Sequence, residues 1–486
     1  MSLIETLILL TGLIWSLGRI KITKSLINLP VLFYLLSCLL STINSYYLRG
    51  SLEEITKLAS CILLFLVIGN YFSTRLKLLI HTFIFTTLIV ICLGISHFFT
   101  HLNGSLNDRL FYPLGNPNLL AGFLVITIPL LWSQTLNMGF RNKFHIQGLT
   151  LSFLSFITLY LTYSRGGMLG VIGAISFLFF INRQRNNRYI SILTPCLLIG
   201  IGLLIIYKYV FLSYLAGLSS TAFQRFYIWK CSYQMFLDHP ILGVGLGVYP
   251  NAYFDYKQDG QWHLHSHNIF IQHACEVGII GLLSFIWLLI TLFKENFGRL
   301  LESNYEKAVR EGLLASLIGL LIHSQVDYLC WIPVFQLYFW LIVGILSSMR
   351  AKEYILLPNP CWFISIIIIL FWSFCILKPF LGYVSFNQGV ELADKGKWEE
   401  AKIKFEKAVL LDFYHPLYHA HLGTTYTKIY PQDKASAIKE YEKATQFDKS
   451  KAWMKTSKLK AKKTNTISWK LYRRVPMLVP CQFSCL

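Results

Sequence analysis

The sequence has few charged residues. Asp, Glu, Lys and Arg make up 14% of its 486 residues, and hydrophobic residues make up 55%. A soluble globular domain carries about a quarter charged residues, so the composition excludes an ordinary soluble enzyme. Several apolar runs reach the roughly 20 residues that a helix needs to cross a bilayer. The sequence therefore predicts a protein that crosses a membrane several times.

Acidic residues are the scarcer charged class, with 24 Asp and Glu against 44 Lys and Arg, a net charge of +20. Such an excess is also typical of nucleic-acid-binding proteins, but no RNA- or DNA-binding motif accompanies it. In a membrane protein it reflects cytoplasmic loops rich in Lys and Arg. We therefore expect a membrane surface, and no nucleic acid, as the partner of this charge.

The sequence predicts neither a disulfide framework nor a signal peptide. Most of the eleven cysteines lie singly inside apolar segments, which is typical of buried thiols. The N-terminus is apolar but lacks the basic start and the small-residue cleavage site of a signal peptide, so we interpret it as a first span.

The hydropathy pattern predicts an all-α membrane domain over residues 1–384, a polytopic helical bundle of about twelve transmembrane helices. The predicted spans lie near residues 3–18, 26–44, 55–72, 78–98, 118–137, 146–163, 167–182, 189–212, 268–293, 312–328, 331–348 and 359–381.

Basic residues in alternate loops predict the orientation of these spans. By the positive-inside rule the basic loops are cytoplasmic, which puts the N-terminus and, with twelve spans, the C-terminal region outside. Three features then face outward against the rule: Arg165, Arg225 and the histidine cluster that closes a large loop, 213–267. Ionisable groups at membrane depth are costly and usually mark a site. The outer surface is therefore the predicted place of function.

Residues 385–456 have a different texture, with two similar segments. Gly389 recurs at Gly423, 34 residues later, and Ala401, Phe405 and Ala408 recur 36 residues later, at Ala437, Tyr441 and Ala444. This pattern resembles tetratricopeptide repeats, which are helix–turn–helix units of 34 residues. Because arrays of such units normally need three or more, we expect this pair to lean on the membrane domain or on a protein partner. The basic tail, 457–486, is predicted to be disordered.

Five motifs follow one another between the spans. They are GNPNLLAGFL at 115–124, YSRGGMLG at 163–170, RFYIWKCSYQMFLDHPILGVGLGVYP at 225–250, HSHNIFIQHACEVGIIGLL at 265–283 and IHSQVDYLCWIP at 322–333. In this order, over about 110–350, they resemble the O-antigen ligase family of lipid-linked glycan ligases and polymerases. The resemblance is strongest from Arg225 and Trp229 to His267 and Asn268.

The resemblance implies a donor and a set of site residues. Family members take a glycan attached through pyrophosphate to undecaprenol, on the outer side of the cytoplasmic membrane, and move it to a hydroxyl of a lipid, a protein or another glycan. They use two outward arginines near the donor pyrophosphate, here Arg165 and Arg225. They also use a histidine of the large outer loop, here His267, with His265 as an adjacent candidate.

The chemistry of these residues points the same way. Guanidinium groups bind phosphate oxygens bidentately and stay charged at any working pH. A neutral imidazole, with an ordinary pKa near 6.5, can take the proton of the acceptor hydroxyl. We expect neither a metal nor another cofactor. The alternatives for His263, His265 and His267 are that alternate rings of an extended HxHxH run hold zinc, or that they line a polar loop.

Three further residues are predicted to support the site. Asn268 follows the histidines and can cap the next helix. Glu276, two turns into that span, is expected to face the bundle interior and either pair with an arginine or orient the catalytic histidine. Asp327 could orient His267 or neutralise an arginine, whereas His323 is expected to pack inside the bundle.

Two other functions are compatible with twelve spans. A transporter, as in relatives linked to inorganic carbon uptake, would place ionisable residues near the bilayer midplane. A scaffold would use the repeats to recruit partners and carry a degenerate membrane domain. Because the ionisable groups collect at the outer surface, the sequence favours a glycan ligase or polymerase.

Overall fold

A computed structural model of the protein describes residues 21–71, 75–100, 109–137, 143–181, 221–257, 263–297, 303–350, 354–356, 361–432 and 434–450. Two predicted spans, 3–18 and 189–212, and the predicted basic tail, 457–486, lie outside these residues.

The described chain is helical apart from one short antiparallel strand pair. The elements are β1 (Lys21–Thr23), α1 (Asn28–Ser41), α2 (Leu48–Tyr71), α3 (Leu76–Thr100), α4 (Pro117–Asn137), α5 (Lys143–Leu161), α6 (Arg165–Ile181), α7 (Thr221–Asp238), α8 (Tyr249–Tyr256), α9 (Ile269–Asn296), α10 (Asn304–His323), α11 (Pro333–Arg350), β2 (Tyr354–Leu356), α12 (Cys361–Asp394), α13 (Trp398–Leu411), α14 (Pro416–Ile429) and α15 (Lys434–Phe447).

The predicted helical class is confirmed for the described residues. Ten of the twelve predicted spans overlap helices α1–α6 and α9–α12. Among the described helices, three are long and apolar enough to cross a membrane, namely α3, α4 over Pro117–Thr135, and α9. Shorter apolar helices include α5, α6 and α11. The chain therefore has the helices of a membrane protein, and the number twelve stays a prediction.

Glycines allow the central helices to pack closely. Helix α10 lies against both α4 and α6. A Cβ at Gly170 of α6 would lie 2.7 Å from the carbonyl oxygen of Gly319 in α10, and one at Gly312 would lie 2.9 Å from the Cα of Leu130 in α4. Small residues at such contacts are how membrane helices gain van der Waals packing. This packing brings the end of α10 next to the start of α6.

Helix α9 is interrupted at Gly278, whose φ of 64° and ψ of −168° are not helical. The glycine-rich turn after α7 packs into this interruption: the N–H of Ile279 donates to the Pro240 carbonyl at 2.8 Å. The N–H of Gly245 donates to the Glu276 carbonyl at 3.0 Å. A Cβ at Gly278 would lie 2.2 Å from the carbonyl oxygen of Ile241, so only glycine fits there. The DHPILGVGLG run is thus a packed turn that fixes the first part of α9.

Contacts between the ends of helices show which elements lie at each of the two ends of the bundle. At one end β1 pairs with β2, Ser25 Oγ donates to Glu295 Oε2 at 2.9 Å, and Arg310 Nη1 donates to the Asn296 carbonyl at 2.6 Å. The starts of α4, α6, α9 and α11 lie at the other end, which we call the histidine end because it carries His267. Lys24, Lys294 and Arg310, which belong to the predicted cytoplasmic loops, lie close to these contacts at the first end.

The C-terminal helices form two helix–turn–helix pairs with equivalent packing. A Cβ at Gly389 would lie 2.7 Å from the Phe405 ring, and one at Gly423 would lie 3.2 Å from the Tyr441 ring. The two aromatic side chains are buried at these corresponding positions. The geometry thus repeats as the sequence does, while the assignment to tetratricopeptide repeats stays a proposal. Helix α12 runs without a break across residues 384 and 385, the predicted domain boundary.

The repeat pair leans on the membrane domain. Arg49 Nε, at the start of α2, donates to Asp412 Oδ2 at 2.7 Å. Asn251 Nδ2, in α8, donates to Asp448 Oδ2 at 3.0 Å. The N–H of Lys449 donates to the Tyr46 carbonyl at 2.9 Å. We call these contacts the repeat clamp.

Candidate functional site

The loop before α9 holds His267 in an unusual backbone conformation. Its φ is +56°, in the left-handed region that non-glycine residues rarely adopt. Bonds on both sides hold the residue there. Trp229 Nε1 donates to the Ser266 carbonyl at 2.9 Å, and the Asn268 side chain accepts from the N–H groups of Phe270 and Ile271 at 3.0 Å. Asn268 therefore caps the N-terminus of α9, as predicted. Strained backbone that is fixed in this way is typical of functional sites.

This conformation contradicts the interpretation of the histidines as an extended run with alternate rings on one face. The His263 ring meets Tyr253, and the His265 ring stacks on Tyr328 with centroids 5.0 Å apart. The His267 ring meets the edge of Tyr328 at 5.6 Å and also faces Asp327. Among the described residues, no group of three His, Cys, Asp or Glu side chains is arranged to hold a metal ion.

Asp327 lies between two imidazole rings. Its Oδ1 is 3.9 Å from Nδ1 of His267, and its Oδ2 is 3.9 Å from Nε2 of His323. Helix α10 ends at His323, four residues before the aspartate. Asp327 therefore occupies the turn after the helix, not the predicted span 312–328, and this turn lets its carboxylate reach back to both rings. No described residue hydrogen-bonds Nδ1 of His267 or either ring nitrogen of His323, although all three atoms are buried.

Both predicted arginines belong to this neighbourhood. Arg225 acts electrostatically on His267 and Asp327. Arg165 opens α6, and its neighbour Gly166 lies against His323, because a Cβ there would be 2.6 Å from Cδ2 of that ring. The structure thus brings Arg165, Arg225, His267 and Asp327 to the same end of the bundle, although they are far apart in the chain.

Arg109 is a third guanidinium here and was not predicted. Its Nη2 donates to Asn118 Oδ1 at 2.9 Å, and it is close enough to Arg165 and Asp327 to interact electrostatically with both. The sequence signal was available, since Arg109 precedes the predicted span 118–137 on the outer side and thus breaks the positive-inside rule as Arg165 does. We call Arg109, Arg165 and Arg225, together with Asp327, the arginine cluster.

The electrostatics keep His267 neutral. Burial, followed by the charges of Arg225 and His263, lowers the pKa of His267 to about 4. Burial raises the pKa of Asp327, and its bond from the Tyr328 N–H and the charge of Arg225 oppose that effect. Near neutral pH the imidazole therefore carries no proton charge, which is the state that a general base needs.

His265, the adjacent candidate, is packed into the protein. Gln272 Oε1 accepts from the Ser266 N–H at 2.8 Å, so its amide nitrogen is the group that donates to Nδ1 of His265 at 3.3 Å. The same amide nitrogen donates to Glu276 Oε1 at 3.0 Å. Burial lowers the pKa of His265 to about 3. Glu276 therefore faces the interior, as predicted, and its described contact leads through Gln272 to His265 instead of directly to an arginine.

A separate cavity lies between α1, α2, α9 and α11. It is mostly apolar and aromatic, with Trp331 and Phe339 among its walls. His273 in this wall is hydrogen-bonded at both ring nitrogens, by the Tyr34 hydroxyl at 2.9 Å and to the Ile269 carbonyl at 2.8 Å. The cavity is distinct from the arginine cluster.

The middle of the chain is similar to known proteins. Residues 150–286 match the sequence profile of a family described as O-antigen ligase. A Rickettsia conorii protein named "Putative polysaccharide ligase" is 31% identical over 159 residues, which is 30% of this chain and 36% of that protein. The match thus spans about a third of the length of that relative. The matched region contains Arg165, Arg225 and His267, and its similarity is to an O-antigen ligase domain.

Proposed function

We propose that this protein is a membrane glycosyltransferase that moves a glycan from an undecaprenyl-pyrophosphate donor to an acceptor hydroxyl, as an O-antigen ligase or polymerase does. The observation that carries the proposal is the meeting of the arginine cluster with the neutral His267 imidazole at one end of the bundle. That end includes the region similar to the O-antigen ligase family.

The arginines take the charge of the leaving group. When the sugar–phosphate bond breaks, its electron pair goes to the pyrophosphate, which gains negative charge. Arg165 and Arg225 are proposed to bind the pyrophosphate oxygens and to stabilise this charge. Groups that are already in place where charge develops account for much of the rate enhancement in many enzymes. Guanidinium suits the task because it needs no proton transfer to stay charged.

His267 takes the proton of the acceptor. As the acceptor oxygen attacks the anomeric carbon, its proton passes to Nε2 of the imidazole, while Nδ1 faces Asp327 3.9 Å away. The carboxylate stabilises the imidazolium that forms, and a modest approach of the two groups would complete a hydrogen bond, as often happens when substrate binds. A positioned base of this kind is worth about 10²–10⁴ in rate. We favour His267 over His265, whose Nδ1 already accepts a hydrogen bond.

Sidedness and partners follow from the same proposal. The protein would lie in the cytoplasmic membrane with the histidine end, the large loop and the repeats outside. The acceptor would be a lipid, a protein or the end of a glycan chain, and the repeats would hold a protein acceptor or an assembly partner. A transporter is less well supported, because Arg109, Arg165, Arg225 and His267 collect at one end of the bundle and not along a path at mid-depth.

The test uses the purified full-length protein and a lipid-linked oligosaccharide, with release of undecaprenyl pyrophosphate as the readout. We expect His267→Ala and Arg225→Ala each to lower the release by more than about tenfold. His81→Ala, which alters an exposed histidine of α3, is the matched control. Normal turnover by both site variants would refute the assignment. A reporter fused after residue 385 tests sidedness, and cytoplasmic reporter activity would reverse it.

A further inference from the structure

Two hydrogen bonds hold the Arg109 side chain in place. Its Nε donates to the Thr162 carbonyl at 2.9 Å, just before α6, and its Nη2 donates to Asn118 Oδ1 at 2.9 Å, at the start of α4. The next residue, Leu110, is buried and its N–H donates to the Leu161 carbonyl at 2.9 Å. The guanidinium therefore has a fixed position between the starts of two helices.

The Arg109 guanidinium has further N–H groups that can donate hydrogen bonds to a ligand. A guanidinium carries five N–H groups in a planar fork. The described residues accept from two of them, on Nε and Nη2, and the Arg109 side chain is exposed. A ligand can thus reach the rest of the fork, and little side-chain entropy is lost on binding because the arginine is already immobilised.

Arg109 lies among like charges. Arg109 and Arg225 both act on the carboxylate of Asp327, and the charge of Arg165 repels that of Arg109. Like charges held close together cost free energy unless anions offset them. An extended ligand with more than one negative charge would offset this repulsion.

The cations fall into two groups. Arg225 acts on the His267 ring, where the proton of the acceptor is taken. Arg109 is close enough to Arg165 for their like charges to repel each other, and both lie where α4 and α6 begin. A single phosphate can occupy one of these positions, whereas a diphosphate, with two linked phosphates, can occupy both.

We propose that Arg109, held by Asn118, binds the phosphate of a diphosphate ligand that lies away from His267, on the side of the polyprenyl chain. The inference rests on the proposed function and adds a residue that the family profile does not cover, since the profile match begins at residue 150. Arg109 would act on binding, and Arg225 on the bond that breaks.

The experiment compares inorganic pyrophosphate with inorganic phosphate as probes of the full-length protein in detergent. We expect wild-type protein to bind pyrophosphate at least about tenfold more tightly than phosphate, and Arg109→Gln to remove about tenfold of pyrophosphate affinity, the value of a charge-assisted hydrogen bond. With the lipid-linked donor, Arg109→Gln should raise KM about tenfold and leave kcat within about twofold. Arg75→Gln, an exposed arginine at the start of α3, is the matched control.

Two further variants keep the test decisive. Arg109→Lys keeps the charge but loses the fork, and Asn118→Ala keeps Arg109 but releases one of its anchors. Each should lose part of the pyrophosphate affinity, and either serves if Arg109→Gln does not fold. Unchanged pyrophosphate affinity in folded Arg109 variants overturns the inference and leaves the proposed function standing. If the wild-type protein binds phosphate more tightly than pyrophosphate, or releases no polyprenyl pyrophosphate from the donor, the proposed function itself is wrong.

Discussion

Two charged networks, the repeat clamp and the arginine cluster, differ in how closely their cations and anions approach each other. In the repeat clamp, Arg49 and Asp412 meet at 2.7 Å, and nearby Lys57 meets Glu54 at 2.6 Å. In the arginine cluster, Asp327 is 3.9 Å from each of two imidazoles, and the guanidiniums of Arg109 and Arg225, from two different segments, act on its charge. Cations and anions meet closely in the first network, whereas the second gathers several guanidiniums near one carboxylate.

This difference separates a structural role from a functional one. A buried ion pair is tolerated when each charge has a close partner, because the mutual attraction offsets the loss of hydration. A gathering of like charges is instead typical of functional sites, where a ligand supplies the opposite charge. The unsatisfied ring nitrogens of His267 and His323 belong to the second network as well.

The largest expected effect contrasts one arginine from each network. Arg225→Gln should lower turnover of the lipid-linked donor by about 10²–10³-fold and leave the melting temperature near that of wild type, because its charge acts on the transition state. Arg49→Gln should do the reverse, lowering stability and changing turnover by only a few fold. Steady-state kinetics and thermal unfolding measure the two effects. Equal losses of turnover in both variants would contradict the assignment of a functional role to Arg225 and a structural role to Arg49.

The second prediction concerns the pH profile of kcat/KM. Burial and Arg225 lower the pKa of His267 to about 4, so the imidazole is neutral and active at pH 5–8. Activity should fall about tenfold per unit as the pH drops below about 4, because the base is then protonated. The groups facing His267 are Arg225, His263, Asp327 and Tyr328. An acidic limb near pH 6.5 would show that the ring is not held in the buried environment described.

Part of this contrast could be predicted from the sequence. Arg165, Arg225 and His267 stand out because the positive-inside rule predicts them on the outer side, whereas most basic residues fall in the predicted inner loops. The same rule also selects Arg49 and Arg109. The rule cannot distinguish Arg49, which has a structural role, from Arg109, because the partner of Arg49 is Asp412, 363 positions away in the chain.

Other features depend on tertiary contacts in the same way. The interruption of α9 at Gly278 lies inside an apolar run whose hydropathy predicts a continuous helix, and the glycine-rich turn that packs there comes from another segment. The positive φ of His267 is likewise stabilised by Trp229 and Asn268 together. Helix positions follow from hydropathy alone, whereas these local conformations do not.

The third prediction breaks the clamp itself. Arg49 and Asp412 are both largely shielded from solvent, so Arg49→Gln should leave an uncompensated carboxylate and destabilise docking of the repeats by about 3 kcal/mol. Adding Asp412→Asn should recover part of the loss, since both charges are then gone. Limited proteolysis around residues 385–450 measures docking. Additive losses in the double variant would mean that the two charges do not interact.

The smallest expected effect concerns the contact of the repeat clamp between Asn251 and Asp448. Asp448 has no cation among its described partners: it accepts from Asn251 Nδ2 and from the Ser450 N–H, both at 3.0 Å. Burial raises the pKa of Asp448 from its ordinary value of 3.8 to about 6. The docked state therefore binds the proton more tightly than the released state, so docking is strongest near pH 4 and weakens as the pH rises through about 6. Hydrogen exchange of α15 should follow this trend, and Asp448→Asn should flatten it. A trend of opposite sign would mean that a cation holds this carboxylate, and the clamp would then be matched by charge at both of its contacts.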